Sequence, residues 1–132
     1  IEMTPHAKEL ISALAARGKK LGIATALDED LARACLTRHG VWELFPVFVS
    51  GGDVGKDKSA PDVYLTAAAR LGLLPSECAV VEDGAVGAET AKKAGFFSAG
   101  VTEPYSGAEP ALMRRVCDRL ESDLGGYLAD FE

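Results

Sequence analysis

Apolar residues recur along this chain in two alternating rhythms. Ala7, Leu10, Ile11 and Leu14 fall at helical spacing, and Thr4-Pro5 ahead of them offers a capping hydroxyl and a proline suited to a first helical turn. The pattern predicts an amphipathic helix over about residues 5–17, stopped by Arg17-Gly18. Leu21-Gly22-Ile23-Ala24-Thr25-Ala26 follows as a short, nearly continuous apolar run, which suits a strand buried on both faces of a parallel sheet. A second helix begins at or near Asp28 and closes on Arg38-His39-Gly40, placing cations and a glycine at its negative end.

The rhythm then repeats. Val47-Phe48-Val49-Ser50 reads as a strand, Pro61 opens a helix through about Leu71-Gly72, and Ala79-Val80-Val81-Glu82 reads as a strand again. Gly87 to Ala94-Gly95 is a short helix, and Phe96 to Val101 closes the series. Strands alternating with crossover helices predict a three-layer, Rossmann-like α/β fold, a parallel sheet with helices on both faces. Beyond it Thr102 to Gly107 is rich in turn formers. Residues 109–132 read as a terminal helical segment, with Leu112, Val116, Leu120 and Leu124 at helical spacing as a packing helix and Glu109 to Phe131 forming one or two helices. No internal repeat or low-complexity linker divides the chain, so residues 1–132 form one domain.

Composition narrows the classes. With 132 residues, 48% of them apolar, the chain can build one core. Fourteen Lys plus Arg against twenty Asp plus Glu leave a net charge of −6, which argues against a partner read through its phosphate backbone. No apolar run approaches the roughly 18–20 residues of a membrane span, and Ile1-Glu2-Met3-Thr4 lacks the blocks of a signal peptide. The reading is a soluble, unexported, cytoplasmic protein without membrane or nucleic-acid partners. Cys35, Cys78 and Cys117 are odd in number, widely spaced and set in apolar segments. They read as reduced, buried thiols, and no zinc motif spaces them. His6 and His39 sit at helix ends, where capping or solvation accounts for them.

Open parallel sheets bind ligands beyond the carboxyl ends of their strands. Thr25 ends the first predicted strand, Lys58 lies in the Gly-rich, charged stretch after the second, and Glu82-Asp83 end the third. Carboxylates hold a hard cation such as magnesium, while a lysine and a hydroxyl with neighbouring amides, here that of Ala26, hold phosphate oxygens. Each residue alone has a plainer reading: turn former, solvated surface lysine, helix cap. Their joint placement points to a phosphate ester.

From Thr4 to about Val101 the chain resembles the core of the haloacid dehalogenase superfamily, in the branch of beta-phosphoglucomutase-like phosphatases and mutases. Gly22-Ile23-Ala24-Thr25 resembles its second motif, Lys58-Ser59-Ala60-Pro61-Asp62 its third, and Val80-Val81-Glu82-Asp83-Gly84-Ala85-Val86-Gly87 its fourth. The resemblance implies phosphate binding by Thr25, Ala26 and Lys58, catalytic roles for Lys58 and Thr25, and Mg2+ binding by Asp83 and Glu82. Ser59 replaces the family's usual proline and Gly84 its usual serine. The Glu-Asp pair favours phosphoryl chemistry over carbon–halogen cleavage, because the dehalogenases work without magnesium and lack that pair.

The family's first motif, an Asp-x-Asp-Gly nucleophile and acid/base at the end of an early strand, has no counterpart among these residues. Asp28-Glu29-Asp30 lacks the trailing glycine and reads as the acidic start of a helix. Ile1 reads as a truncation, and no cap that would choose the substrate is present, so sugar phosphate, nucleotide and phosphoglycolate are not ranked. By resemblance the absent strand is the central one, between Leu21 to Ala26 and Ala79 to Glu82. Its loss predicts two open strand edges, filled by a complementary segment of the same gene product, by a swapped partner, or by direct pairing of the flanking strands. The expected function is the core portion of a magnesium-dependent phosphatase or phosphomutase of small phosphorylated metabolites, acting through an aspartyl-phosphate, with the isolated chain inactive. The alternative is a noncatalytic phosphate-binding or interaction module. A phosphoacceptor receiver domain would place its acidic pair first and its lysine last, the reverse of the order here.

Overall fold

Residues 6–102 and 110–131 are described by the computed structural model. Helix α1 (Ala7–Ala16) precedes strand β1 (Gly22–Thr25), and α2 (Glu29–Arg38) leads to β2 (Val47–Ser50). A single-turn helix α3 (Gly51–Val54) and then α4 (Asp62–Arg70) connect to β3 (Ala79–Glu82), and α5 (Ala85–Lys93) connects to β4 (Phe97–Val101). The chain closes with α6 (Pro110–Val116), β5 (Arg119–Glu121) and α7 (Gly125–Leu128). Glycine stops α2 as the sequence predicts: Gly40 adopts φ 74°, the left-handed turn in which a Cβ is costly. The proposed Thr4-Pro5 start of α1 lies outside the described residues.

All pairings are parallel, but they form two sheets. β1 pairs with β2 from Gly22 opposite Val47 to Thr25 opposite Ser50, and β3, β4 and β5 form a separate sheet in that order. Alternation along β4 sorts the layers. Ser98 and Gly100 face α5 and α6, where the Ser98 hydroxyl donates to the Ala88 carbonyl and a Cβ on Gly100 would meet Met113. Ala99 and Val101 instead pack with Leu10 of α1 and Tyr127 of α7. A further cluster joins Val47 and Val49 of β2 to Val63, Tyr64 and Ala67 of α4 and to Ala91 and Phe96, with Ala24 and Val80 against it. That cluster holds the two sheets side by side.

Direct pairing of the flanking strands, one of the three sequence expectations, is therefore not what the chain does. β1 and β3 share no ladder among the described residues. Between them runs an apolar cavity of about 850 Å³ lined by Leu21, Gly22 and Ala24 on one side, Ala79 to Glu82 on the other, and α1 and α4 above and below. The prediction that β1 is buried on both faces fails for the same reason: Gly22 is exposed and Ile23, Ala24 and Thr25 are half-buried. Val81 and Phe97 stay 50% and 48% exposed, although their pattern is that of a central strand.

The terminal segment also differs from its prediction. The single helical stripe through Leu112, Val116, Leu120 and Leu124 is interrupted at Cys117-Asp118, and Leu120 belongs to β5. Asp118 makes the break by exchanging two bonds with Ser98: its backbone N–H donates to the Ser98 carbonyl at 2.9 Å, and its carboxylate accepts the Ser98 N–H at 2.7 Å. Residues 103–109, which include most of the turn-rich stretch and Glu109, lie outside the described residues. Among the described residues no helix is long and apolar enough to cross a membrane. Cys117 is buried as predicted, whereas Cys35 and Cys78 are half-buried, and none of the three is in a disulfide.

Candidate functional site

Lys58 and Glu82 meet. The Lys58 ammonium donates to Glu82 Oε2 at 2.8 Å, across 24 residues of sequence, which brings the loop after β2 to the carboxyl end of β3. The two sheets thus point their strand ends to one edge. The loop that presents Lys58 is shaped by Asp57, whose carboxylate accepts the Ser59 N–H at 2.9 Å and the Ser59 hydroxyl. A proline, the residue that the motif usually carries at 59, has neither donor. Lys58 is 31% exposed, so it is neither a solvated surface lysine nor sealed away.

Glu82 is only 8% exposed, and burial of a carboxylate demands partners. Four donors supply them. Oε2 takes Lys58 and the Tyr64 hydroxyl at 2.9 Å, while Oε1 takes the N–H groups of Asp83 and Gly84 at 3.1 and 3.2 Å. Burial alone would push this carboxyl up, but the Lys58 charge and the bonds from Lys58, Tyr64 and Gly84 outweigh it and hold the group below the ordinary glutamate range. Asp83 moves the other way: partial loss of water, and then the neighbouring Glu82, raise its carboxyl above the ordinary value. Tyr64 is raised well above the ordinary phenol range by burial and by the Glu82 charge.

Thr25 sits at the end of β1, on the opposite bank of the cavity, and its hydroxyl oxygen accepts the Leu27 N–H at 3.0 Å. That bond shapes the turn through exposed Ala26 and leaves the hydroxyl proton free to donate elsewhere. Asp28-Glu29-Asp30 is the start of α2, with Asp28 at the cap position and the other two in the first turn, as the sequence indicates. Glu82 and Asp83 both carry the hard oxygens that a cation such as magnesium takes, and Glu82 also accepts four donors. No group of three or more His, Cys, Asp or Glu side chains among the described residues could by itself hold a metal ion. The set fits magnesium only as a contributor of hard oxygen, not as a complete cage.

One residue of this site escapes motif reading, and another, Gly87, lies inside the fourth motif without a role assigned to it. Tyr64 sits on the first turn of α4 among apolar positions, where it passes for core; the signal was that a buried phenol needs an acceptor. Gly87 opens α5 against the same carboxylate, and a Cβ there would fall 2.5 Å from the Tyr64 oxygen and 2.6 Å from Glu82 Oε2.

A parallel α/β core carrying an ammonium, a hydroxyl and two carboxylates at the carboxyl ends of its strands has the form of an oxyanion-handling α/β protein. Residues 1–95 match the haloacid dehalogenase-like hydrolase family, and the chain belongs to that family. It is 36% identical over 99 residues to the validoxylamine A 7'-phosphate phosphatase of Streptomyces hygroscopicus subsp. limoneus, covering 75% of this chain and 46% of that protein. It is 32% identical over 123 residues to the beta-phosphoglucomutase of Bacillus subtilis (strain 168), covering 93% of this chain and 52% of that one. The crystal structure of a family hydrolase from Deinococcus radiodurans R1, with bound phosphate and sodium, superposes with a TM-score of 0.84 at 28% identity, over 98% of this chain and 60% of that one. The chain thus spans about half the length of these two curated relatives.

Proposed function

We propose that these residues are the core portion of a magnesium-dependent phosphatase or phosphomutase of small phosphorylated metabolites, whose aspartate nucleophile lies outside the 132 residues. The observation that carries this reading is the Lys58 ammonium held on Glu82 at the strand ends, beside Asp83. Lys58 and the Thr25 hydroxyl, with the Ala26 N–H, hold the phosphoryl oxygens and balance their charge. Asp83 is a cation ligand, and magnesium, when bound, would neutralise charge on the transferring phosphoryl group. Glu82, the second cation ligand by the motif, also anchors Lys58. The relatives' names, a 7'-phosphate phosphatase and a phosphoglucomutase, support a small phosphorylated substrate.

None of Thr25, Ala26, Lys58, Glu82 and Asp83 offers a free carboxylate in line with phosphorus together with a proton donor for the leaving oxygen. The nucleophile is assigned instead to an extended segment filling the cavity between β1 and β3, from the same gene product or a swapped partner. The lack of a ladder between β1 and β3 among the described residues and the apolar lining support this, as does the twofold greater length of the relatives. The test is phosphate release from a phosphomonoester with Mg2+. The chain alone should give background, and adding an apolar strand peptide that ends in Asp-x-Asp should give turnover that Asp83→Ala or Lys58→Ala abolishes. Turnover by the chain alone that Asp83→Ala removes would sink the assignment of the nucleophile. Phosphate binding with no turnover even with the peptide would favour a noncatalytic phosphate-binding module.

A further inference from the structure

Among the described residues two tyrosines are buried, and their hydroxyls do different things. Tyr127 donates to the backbone carbonyls of Gly100 at 2.7 Å and Arg119 at 3.1 Å, tying strand to strand. Tyr64 is 3% exposed and donates to a side chain, Glu82 Oε2, the same oxygen that receives Lys58. We propose that Tyr64 is a positioning residue that fixes the Lys58 ammonium by fixing the carboxylate on which it rests. This proposal rests on the phosphoryl-transfer reading of the site.

The geometry supports it from three sides. Lysine is a flexible point charge with rotatable donors, and at 31% exposure Lys58 has water to escape to, so a carboxylate alone would hold it loosely. Backbone N–H groups of Asp83 and Gly84 set only Oε1; the other oxygen needs a second rigid donor. Tyr64 is one, because its ring is packed edge-on against Phe96 with centroids 6.2 Å apart and has few rotatable bonds. Finally, the space around this bond is kept by Gly87, where any Cβ would fall within 2.6 Å of both oxygens. A tyrosine that merely filled the core would not require backbone to approach its hydroxyl so closely.

The test uses the full chain with labelled lysine side chains, and reads the NMR order parameter of the Lys58 ammonium and the Kd for inorganic phosphate. Tyr64→Phe should lower the order parameter by about a third and weaken phosphate roughly three- to tenfold. Tyr127→Phe, which removes a hydroxyl of structural use, should lower Tm while leaving both readouts within twofold. Phe96→Leu leaves the phenol and Glu82 in place but removes the ring that packs edge-on against Tyr64; it should move both readouts in the same direction, which covers the case in which Tyr64→Phe folds poorly. A folded Tyr64→Phe with an unchanged Lys58 order parameter would overturn the proposal. If the unaltered chain binds no phosphate, the functional reading fails, and the order parameter still decides the role of Tyr64.

Discussion

Glu82 brings a negative charge into a nearly closed environment and keeps it because four donors converge on two oxygens. Its pKa lies below the ordinary glutamate range, so its contribution to stability is full above that range and is lost as pH falls through the lower, folded pKa. Asp83, raised from 3.8, works in the opposite sense: its ionisation is disfavoured in the folded state, so it opposes folding as pH rises through its folded pKa. Glu82→Gln should therefore lower stability by about 1–3 kcal/mol at neutral pH, because an amide cannot accept at both ends from Lys58, Tyr64 and two backbone N–H groups. The gap in Tm between this variant and the unaltered chain should narrow as pH falls below the ordinary glutamate range and on through the lower, folded pKa, where the buried glutamate itself becomes neutral. Thermal melts across that range check it, and a gap that is constant with pH would show that the charge is not what the site holds. At this scale the sequence displays Thr25 and Glu82-Asp83 because they stand as polar residues at the ends of apolar runs, and Lys58 because it leads into the Pro61-Asp62 helix start that resembles the third motif. Tyr64 does not stand out, since its ring obeys the apolar rhythm of α4 and only its hydroxyl departs from it.

A three-residue strand has too little sequence to announce itself, and β5 shows what replaces the missing signal. Arg119-Leu120-Glu121 carries one apolar residue between two charged ones, while Leu112, Val116, Leu120 and Leu124 keep a spacing of four through the same stretch. The helical rhythm is thus a coincidence across three elements, α6, β5 and the turn before α7. What decides is Asp118, which replaces a continuing helix by two bonds to fully buried Ser98. Asp118→Ala should leave the Ser98 N–H buried without its acceptor, at a cost of about 1–3 kcal/mol and a fall in Tm of roughly 4–12 °C. Amide exchange should quicken at Ser98 and along β5, with β1 and β2 unaffected; uniform acceleration across both sheets would show instead that β5 has no local anchor. The longer elements were legible because helix caps, glycine stops and four-residue apolar runs repeat the same message. The single-turn α3 was not: its capping box, Ser50 with Asp53, encloses a Gly-Gly pair that reads as loop.

At the scale of the whole molecule, strand order is a property of what lies between elements, and periodicity carries none of it. Four of the five described strands, β1 to β4, were visible as apolar runs, yet the separation of β1 from β3 followed only from resemblance to a family whose members place a strand there. The physical consequence is that one core, built on α4, spans two sheets, while β1 and β3, which share no ladder among the described residues, face each other across an apolar cavity. Backbone groups on both banks ask for an extended segment, since only a strand can offer N–H and C=O to two neighbours at once. The common direction of the strand ends, set by Lys58 on Glu82, asks that it run parallel to both. An apolar strand peptide without any carboxylate should therefore bind and protect the chain without creating activity. Binding to the folded state alone contributes about 2.7 kcal/mol at a hundredfold excess over Kd, an upward shift in Tm of roughly 8–12 °C for a domain of this size. Amide exchange should slow in β1 and β3 and stay as it was in β5, which lies beyond β4. A peptide that raises Tm without protecting β1 and β3 is binding elsewhere, and slow exchange at those edges without peptide, together with a dimeric mass in sedimentation, would mean that a second copy of the chain already fills them.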